Sequence, residues 1–364
     1  MKLLATLTAL TLLHSTFSTT NQHSSLKQPS RSQKLETTAR AALLAKPAIE
    51  PIPATSDAVA NAKLAAQLVE RFFRLLSKTG TPTGQLGLSN GHDKQAIAAV
   101  KAVLDPALIV QRADGRYETF KTYTPIDIDE YSISDLHATR PSPELLAVRY
   151  KIKTPEALNP ASGMIGSNDL SPRLSVFRWN PIVKEWLLIS HASFNPPAAQ
   201  MCNSPSANNH EENHRTEPSN DANTELAAKL IKRWYEDLHR DGIDLAGPQN
   251  LLLAKAQLVY GDGYGREGDS GYRKVKVSPT AVKNIVARST GAILVFRFDA
   301  LNRLHINDLA YSNQWQPRLV TATKDVNGQW RIASFSIFTY PQTPPKGSAC
   351  RPPTSKASAH LNPN

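Results

Sequence analysis

Apolar residues recur at helical spacing at two distant places in the chain. In the first, they form the stripe Leu64, Leu68, Phe72 and Leu75. The segment Leu226–Leu238 repeats the same order of residue types. Spacings of three and four residues predict amphipathic helices at both places.

Beyond each helical segment the pattern changes to alternation. Apolar side chains at positions 146, 148, 150 and 152 alternate with basic ones at 149, 151 and 153. This period of two predicts a strand with two different faces. Further alternating runs, Arg173–Trp179 and Trp186–Phe194, predict two more strands. Helices followed by long strands joined by turns indicate an α+β fold rather than a doubly wound sheet.

The chain contains an internal duplication. Pro172-Arg173-Leu174 shortly precedes Trp186, and Pro317-Arg318-Leu319 stands in the same relation to Trp330. The runs that follow share Trp, Ser and Phe at the same spacing. Together with the repeated helix, this periodicity predicts two copies of one domain.

The N-terminus has the pattern of a secretory signal. Lys2 is followed by an apolar stretch up to Leu13 and then by small residues that allow cleavage after Ser18. An organelle transit peptide is the alternative, because Ser and Thr are abundant and no acidic residue comes before Glu36. The first 25 residues contain no Arg, which favours secretion to a periplasmic or extracellular location.

The predicted organisation follows from these boundaries. It comprises a signal peptide at 1–18, a flexible lead-in at 19–55, a first domain at 56–198, a polar linker at 199–220, a second domain at 221–343 and a disordered tail at 344–364.

Composition narrows the classes of function. The 364 residues are 40% hydrophobic, and 42 basic against 31 acidic side chains give a net charge of +11. This composition allows packed cores. Nearly half of the excess charge lies in the lead-in, linker and tail, whereas a nucleic-acid-binding protein concentrates it on a folded module. We therefore expect no nucleic-acid partner. The apolar run at the N-terminus is too short to span a bilayer, and no metal-ligand cluster appears in the sequence, so we also expect no membrane span and no metal site. No cofactor is expected. The pair His210 and His214 is interpreted as part of a solvated linker.

Two segments resemble a known family. Leu104–Gly115 resembles the strand and turn after the second helix of SnoaL-like domains, in the nuclear transport factor 2-like superfamily, and Trp186–Phe194 resembles their last strand. The resemblance covers residues 56–198 and again 221–343. It implies two tandem cone-shaped domains, each a curved antiparallel sheet wrapped around helices with an apolar pocket at its wide end. The family includes isomerases, dehydratases, cyclases and non-catalytic binding modules, so the fold alone does not decide the function.

His191 is the candidate catalytic residue. The family often has a histidine after Trp-x-x-x-Ser, and its enzymes use a carboxylate or histidine in a dry pocket as a base. A core histidine bonded to the backbone is the favoured alternative. The aligned residue of the second copy is Phe335, so only the first domain would keep such a base.

Other residues are weaker candidates for a pocket. They are Asp114, Tyr117 and Tyr150 in the first copy and Asp262 and Tyr264 in the second. Asp-Gly sequences beside several of them are also ordinary turn chemistry, which is the favoured interpretation.

Two further pairs have equivalent positions in the two copies. Arg149 and Arg297 are interpreted as exposed strand residues, with an anion contact as the alternative. Cys202 and Cys350 are equally well interpreted as a disulfide or as two free thiols.

The expected function is that of a secreted, non-catalytic module that binds a small apolar molecule or a protein. The alternative is an isomerase, dehydratase or cyclase acting on a small apolar substrate in the first domain. The two domains are expected to pack as an intramolecular pseudo-dimer.

Overall fold

The computed structural model describes two halves of the chain. The first half comprises residues 58–77, 94–113, 115–125, 127–128, 130–154, 157–159, 163–164 and 167–194; the second comprises 221–239, 251–261, 263–268, 276–277, 281–301, 304–306, 309–311 and 315–338. Both halves belong to one unit of the chain, Ala48–Asn364. The predicted signal peptide, His210, His214, Cys202 and Cys350 lie outside the described residues.

Each half begins with helix and continues with strands. The first half contains α1 (Ala58–Leu76), α2 (Lys94–Ala102), β1 (Leu104–Arg112), β2 (Tyr117–Thr119), β3 (Asp127–Ile128), β4 (Ser132–Ser142), β5 (Leu145–Thr154), β6 (Ala157–Asn159), β7 (Gly163–Met164), β8 (Ser167–Asn180) and β9 (Glu185–Ser193). The second half contains α3 (Asp221–His239), β10 (Leu252–Tyr260), β11 (Gly265–Glu267), β12 (Lys276–Val277), β13 (Ala281–Thr290), β14 (Ile293–Leu301), β15 (Leu304–Ile306), β16 (Leu309–Tyr311), β17 (Trp315–Lys324) and β18 (Trp330–Ile337).

The two halves form separate six-stranded sheets with the same strand order. The first is β2-β1-β9-β8-β5-β4 and the second β11-β10-β18-β17-β14-β13. The predicted α+β class is confirmed. The expectation of a wholly antiparallel sheet is corrected at one pairing per sheet, because β1 runs parallel to β9 and β10 parallel to β18. A parallel pair needs a long connection, and here several strands separate its members in the chain.

One face of each sheet packs against helix, and we call it the helix face. In the first half, α1 buries Leu64, Leu68 and Phe72 against apolar side chains of β1, β5, β8 and β9. In the second half, α3 does the same with Leu230 and Trp234. The predicted apolar stripes are therefore the surfaces that build the two cores.

The opposite face of each sheet, the back face, packs against the other half. A shared apolar cluster includes Ile109 and Ile189 from the first half and Val295 from the second. The rings of Phe194 and Phe338 stack with their centroids 4.4 Å apart. These two residues follow the equivalent strands β9 and β18, so corresponding parts of the halves meet, as in an isologous interface.

The arginines at the equivalent positions 149 and 297 lie on these back faces. Arg297 is fully buried; it pairs with Asp299 and donates through Nε to Oε1 of Gln111 in the first half, at 2.9 Å. The expectation of an exposed Arg297 is therefore wrong, because the back face of its strand is covered by the other sheet. Arg149 is half-buried and lies against Gly265.

Strand irregularities also recur at equivalent places. Ile189 and Ala333 each interrupt the pairing of the last two long strands by one residue. Asp135 and Asn284 both lie in bulges with positive φ, 52° and 55°. Asp and Asn tolerate this backbone region better than other non-glycine residues.

Within the described part of the chain, no helix has the length and apolar character to cross a bilayer.

Candidate functional site

A chain of three buried polar side chains lies on the helix face of the first half. Nδ1 of His191 is 2.9 Å from Oγ of Ser175, which is 3.0 Å from the hydroxyl of Tyr150. The three residues are 8%, 1% and 2% exposed. They come from β9, β8 and β5, three neighbouring strands of the sheet.

The bulge at Ile189 decides which face His191 occupies. Val176 pairs with Ser190 and Phe177 with Leu188, so Ile189 is an additional residue on β9. Strict alternation would place His191 with Leu187 and Ile189 on the back face. The bulge reverses the alternation. His191 therefore shares the helix face with Ser175, beside the ring of Phe72 at 5.9 Å between centroids.

Two arginines occupy the next row of the same face. Arg112 forms a salt bridge with Glu118, with Nη2 and Oε2 2.6 Å apart. In the strand register, Arg173 lies opposite Tyr150 of β5 on one side and Ser193 of β9 on the other. Its Nη1 donates to the carbonyl of Pro172 at 2.8 Å, which orients the guanidinium.

The surroundings keep the titratable groups neutral. Burial lowers the pKa of His191 well below 6.5, and the positive charges of Arg173 and Arg112 lower it further. Burial also raises the pKa of Tyr150. At neutral pH the site therefore offers an uncharged imidazole and an uncharged phenol next to guanidinium groups.

The second half has apolar residues where the first has this polar chain. Strand register makes Phe335, Val320 and Phe298 equivalent to His191, Ser175 and Tyr150. The ring contacts between helix and sheet also correspond. The ring of Trp234 meets Phe335 as Phe72 meets His191, and Tyr235 meets Phe298 as Phe73 meets Tyr150.

Both helix faces have an arginine at one equivalent position, and in the second half this residue is Arg318. It is equivalent to Arg173, and its Nη1 donates to the carbonyl of Pro317 at the same distance, 2.8 Å. It also hydrogen-bonds with Tyr235 of α3. Phe73 of the first half cannot repeat this bond because it has no hydroxyl.

The structure brings together two of the residues singled out in the sequence, His191 and Tyr150. Tyr117 lies on the back face, under the guanidinium of Arg297 at 5.0 Å from the ring centroid. Tyr264 is largely exposed beside Tyr260 in the second half. Asp114 and Asp262 lie outside the described residues. Among the described residues, no group of three metal-ligating side chains is found.

Sequence reasoning missed Ser175 and Arg173 as parts of the site. Arg173 belongs to the repeated Pro-Arg-Leu motif, which served only to align the two copies. Both residues alternate in phase with Phe177 on β8, so the strand period contained the signal that they share one face. Their proximity to His191 depends on the bulge at Ile189, which no local sequence pattern predicts.

No known family profile matches the sequence, and no curated protein matches it. Solved structures do match it in fold. An NTF2-like protein from Cytophaga hutchinsonii is 10% identical with a TM-score of 0.28, and the match covers 36% of this chain and 94% of the other. A ketosteroid isomerase-like protein from Erwinia carotovora atroseptica is 11% identical, with a TM-score of 0.26 and coverages of 37% and 98%. The association domain of Caenorhabditis elegans CaMKII is 9% identical, with a TM-score of 0.27 and coverages of 38% and 98%.

Each of these matches covers less than two fifths of this chain. At such low identities the likeness concerns the fold alone, and function must be argued from the residues of the site.

Proposed function

We propose that this protein belongs to the NTF2-like superfamily, that it binds a small molecule on the helix face of its first half, and that its second half is a built-in structural partner. The observation that carries the proposal is the buried chain from Tyr150 through Ser175 to His191. A buried polar group costs free energy unless it is hydrogen-bonded, and replacing both bonded partners by apolar groups of the same shape can be nearly neutral or stabilising. The second half forms the same sheet with Phe298, Val320 and Phe335, so the fold does not need the polar chain. A role in binding explains why it is present.

The test replaces the polar chain by the residues of the second half. The variant Tyr150→Phe, Ser175→Val, His191→Phe is expected to fold, because each substitution copies an equivalent position of the same chain. Ligand-observed NMR with a panel of neutral and anionic aromatic and alicyclic fragments should detect binding to the wild type and none to the variant. Equal binding by both proteins, or no binding by the wild type, would contradict the proposal.

Proton-transfer catalysis is a second candidate function. It is favoured by the 2.9 Å contact between Nδ1 of His191 and Oγ of Ser175, together with a neutral imidazole that can accept a proton. Bound ligands incubated in D₂O should then exchange a carbon-bound proton with the wild type and not with His191→Gln. Absence of exchange with the wild type would remove this candidate and leave binding.

We also propose that the chain is exported, on the strength of the N-terminal sequence. The mature protein should begin after Ser18 and be recovered outside the cytoplasm. Its intact mass tests this directly, and a 2 Da deficit in the same spectrum would reveal a bond between Cys202 and Cys350. A mature protein that retains Met1 would end the proposal of export.

A further inference from the structure

We propose that the back face of the first half has a separate anion site, in which Arg149 binds a small carboxylate. The site lies on the other face of the sheet from the buried polar chain, so this inference does not depend on the proposed function. It is carried by the comparison of Arg149 with Arg297, which occupies the equivalent position in the second half.

Arg297 shows which groups satisfy an arginine at this position. Its Nη1 and Nη2 both donate to the carboxylate of Asp299, and Nη1 also donates to the carbonyl of Asn284 at 3.0 Å. Its Nε donates to Oε1 of Gln111 at 2.9 Å, and the ring of Tyr117 lies against the guanidinium. The two terminal nitrogens thus bind one carboxylate in the paired geometry that suits a guanidinium group.

The side chains that surround Arg297 are not repeated around Arg149. Strand register makes Lys151, Val259 and Gly265 equivalent to Asp299, Gln111 and Tyr117. None of these three replacements has a side chain that can accept a hydrogen bond. Among the described residues, no group forms a hydrogen bond or an ion pair with the Arg149 guanidinium.

The terminal nitrogens of Arg149 are accessible to an anion. Arg149 is half-buried, and of its side-chain nitrogens only Nε is enclosed, so Nη1 and Nη2 reach solvent. The glycine at position 265 makes room for the guanidinium, since a Cβ there would lie 2.5 Å from Cδ and 2.8 Å from Nη1 of Arg149. The two nitrogens that Asp299 occupies on Arg297 are therefore the two that a carboxylate from solution can reach on Arg149.

The charge next to Arg149 on its own strand favours an anion. Lys151 lies two residues further along the same face of β5, where the second half has the carboxylate of Asp299. Lys151 forms an ion pair with Asp135 at 2.8 Å, but this pair is largely exposed and therefore weak. A positive charge thus takes the place of the negative one that neutralises Arg297.

The carboxylate on the neighbouring strand of the second half has other partners. Glu267 of β11 forms ion pairs with Lys255 at 3.0 Å and with His137 at 2.9 Å. It forms none with Arg149, so the guanidinium keeps its charge available for a ligand.

The experiment follows the Nε–H signals of Arg149 and Arg297 by NMR in the full-length protein. Titration with sodium acetate is compared with sodium chloride at equal ionic strength and with neutral acetamide, and Arg149→Gln assigns the Arg149 signal by its loss. We expect acetate alone to shift the Arg149 signal in a saturable way. The Arg297 signal should stay in place, because Asp299 already binds that guanidinium. An Arg149 signal that responds to acetate no more than to chloride or acetamide would overturn the inference.

A variant that copies the second half is the matched control. Asp135→Asn combined with Lys151→Asp introduces the equivalents of Asn284 and Asp299, so the chain itself then supplies the carboxylate. We expect acetate to bind this variant about tenfold more weakly or less, as for the loss of one charged contact. Undiminished binding would overturn the assignment of the site to Arg149.

If the double variant does not fold, Arg149→Gln gives the same test through a different signal. The backbone amide of Gly265 lies against the guanidinium and should shift with acetate in the wild type. This shift should be lost in Arg149→Gln, and its persistence would overturn the inference.

Discussion

The two halves of this chain form sheets with the same strand order but have different residues on their helix faces. At three equivalent positions on the helix face, the first half has Tyr150, Ser175 and His191, and the second has aromatic or aliphatic residues. The strand order, the bulges and the aromatic contacts between helix and sheet are kept. The comparison separates what the fold requires from what it tolerates, because each half acts as a natural control for the other.

On the back faces, in contrast, the two halves are alike in their apolar packing. There both halves contribute apolar side chains to one cluster, and the stacked rings of Phe194 and Phe338 come from corresponding positions. Neither sheet has its back face free for solvent at this cluster. The two halves are therefore expected to depend on one another for stability, even though only one of them has the polar chain.

The largest expected effect comes from the stacked phenylalanines. Phe338→Ala should lower the free energy of unfolding by about 3–5 kcal/mol, as is usual for a buried Phe. Phe194→Ala should cost a similar amount, and the double variant should cost less than the sum, since both substitutions remove one shared contact. Denaturant unfolding followed by tryptophan fluorescence measures these values.

The matched control for this measurement is Ile182→Ala, at a turn position that is 90% exposed. It should change stability by less than about 0.5 kcal/mol. Two separate unfolding transitions in the wild type, with Phe338→Ala affecting only one, would show that the halves are independent and would contradict the comparison.

The equivalent arginines of the back faces should respond differently to substitution. Arg297→Met should lower stability by about 3–5 kcal/mol, because it leaves Asp299 buried without its cation. Arg149→Met should change stability by less than about 1 kcal/mol, since Arg149 is half-buried and its buried Nε has no hydrogen-bond partner among the described residues. Equal losses in the two variants, measured by the same unfolding experiment, would show that the halves treat this position alike.

The polar chain should make stability depend on pH below about 6.5. The folded state lowers the pKa of His191, so the unfolded chain binds a proton first as the pH falls. Stability should decrease by about 1.4 kcal/mol per pH unit between pH 6.5 and the lower pKa of the folded state. His191→Phe, which copies the second half, should remove this slope. A slope that is unchanged in the variant would mean that other groups are responsible.

Much of the architecture could be predicted from the sequence, because it depends on local periodicity. The stripe of α1, the alternation of β5 and the repeated Trp-containing strand are all patterns over a few residues. The parallel pairing of β1 with β9 could not be predicted in this way, since it joins strands far apart in the chain. The burial of Arg297 under the other sheet could not be predicted either. Alternation distinguishes the two faces of a strand but does not say what covers each face.

The site was predictable only in part. His191 and Tyr150 stood out by residue type, but Ser175 and Arg173 join them through cross-strand register. The register in turn depends on the single additional residue Ile189. A change of one residue moves every later side chain to the other face, so a pattern that assumes strict alternation places His191 among the wrong neighbours.

The smallest expected effect lies in the bulges that the halves share. Asp135 and Asn284 both have positive φ, but Asp135 pairs with Lys151 at 2.8 Å, whereas Asn284 donates to Asp299 at 2.8 Å. Asp135→Asn should change stability by less than about 1 kcal/mol, because the pair with Lys151 is largely exposed and Asn accepts the same backbone conformation. Asp135→Ala should cost about 1 kcal/mol more than Asp135→Asn, since alanine is strained at positive φ. If the two variants are equally stable, the backbone conformation contributes nothing measurable and the bulge is held by its neighbouring strands alone.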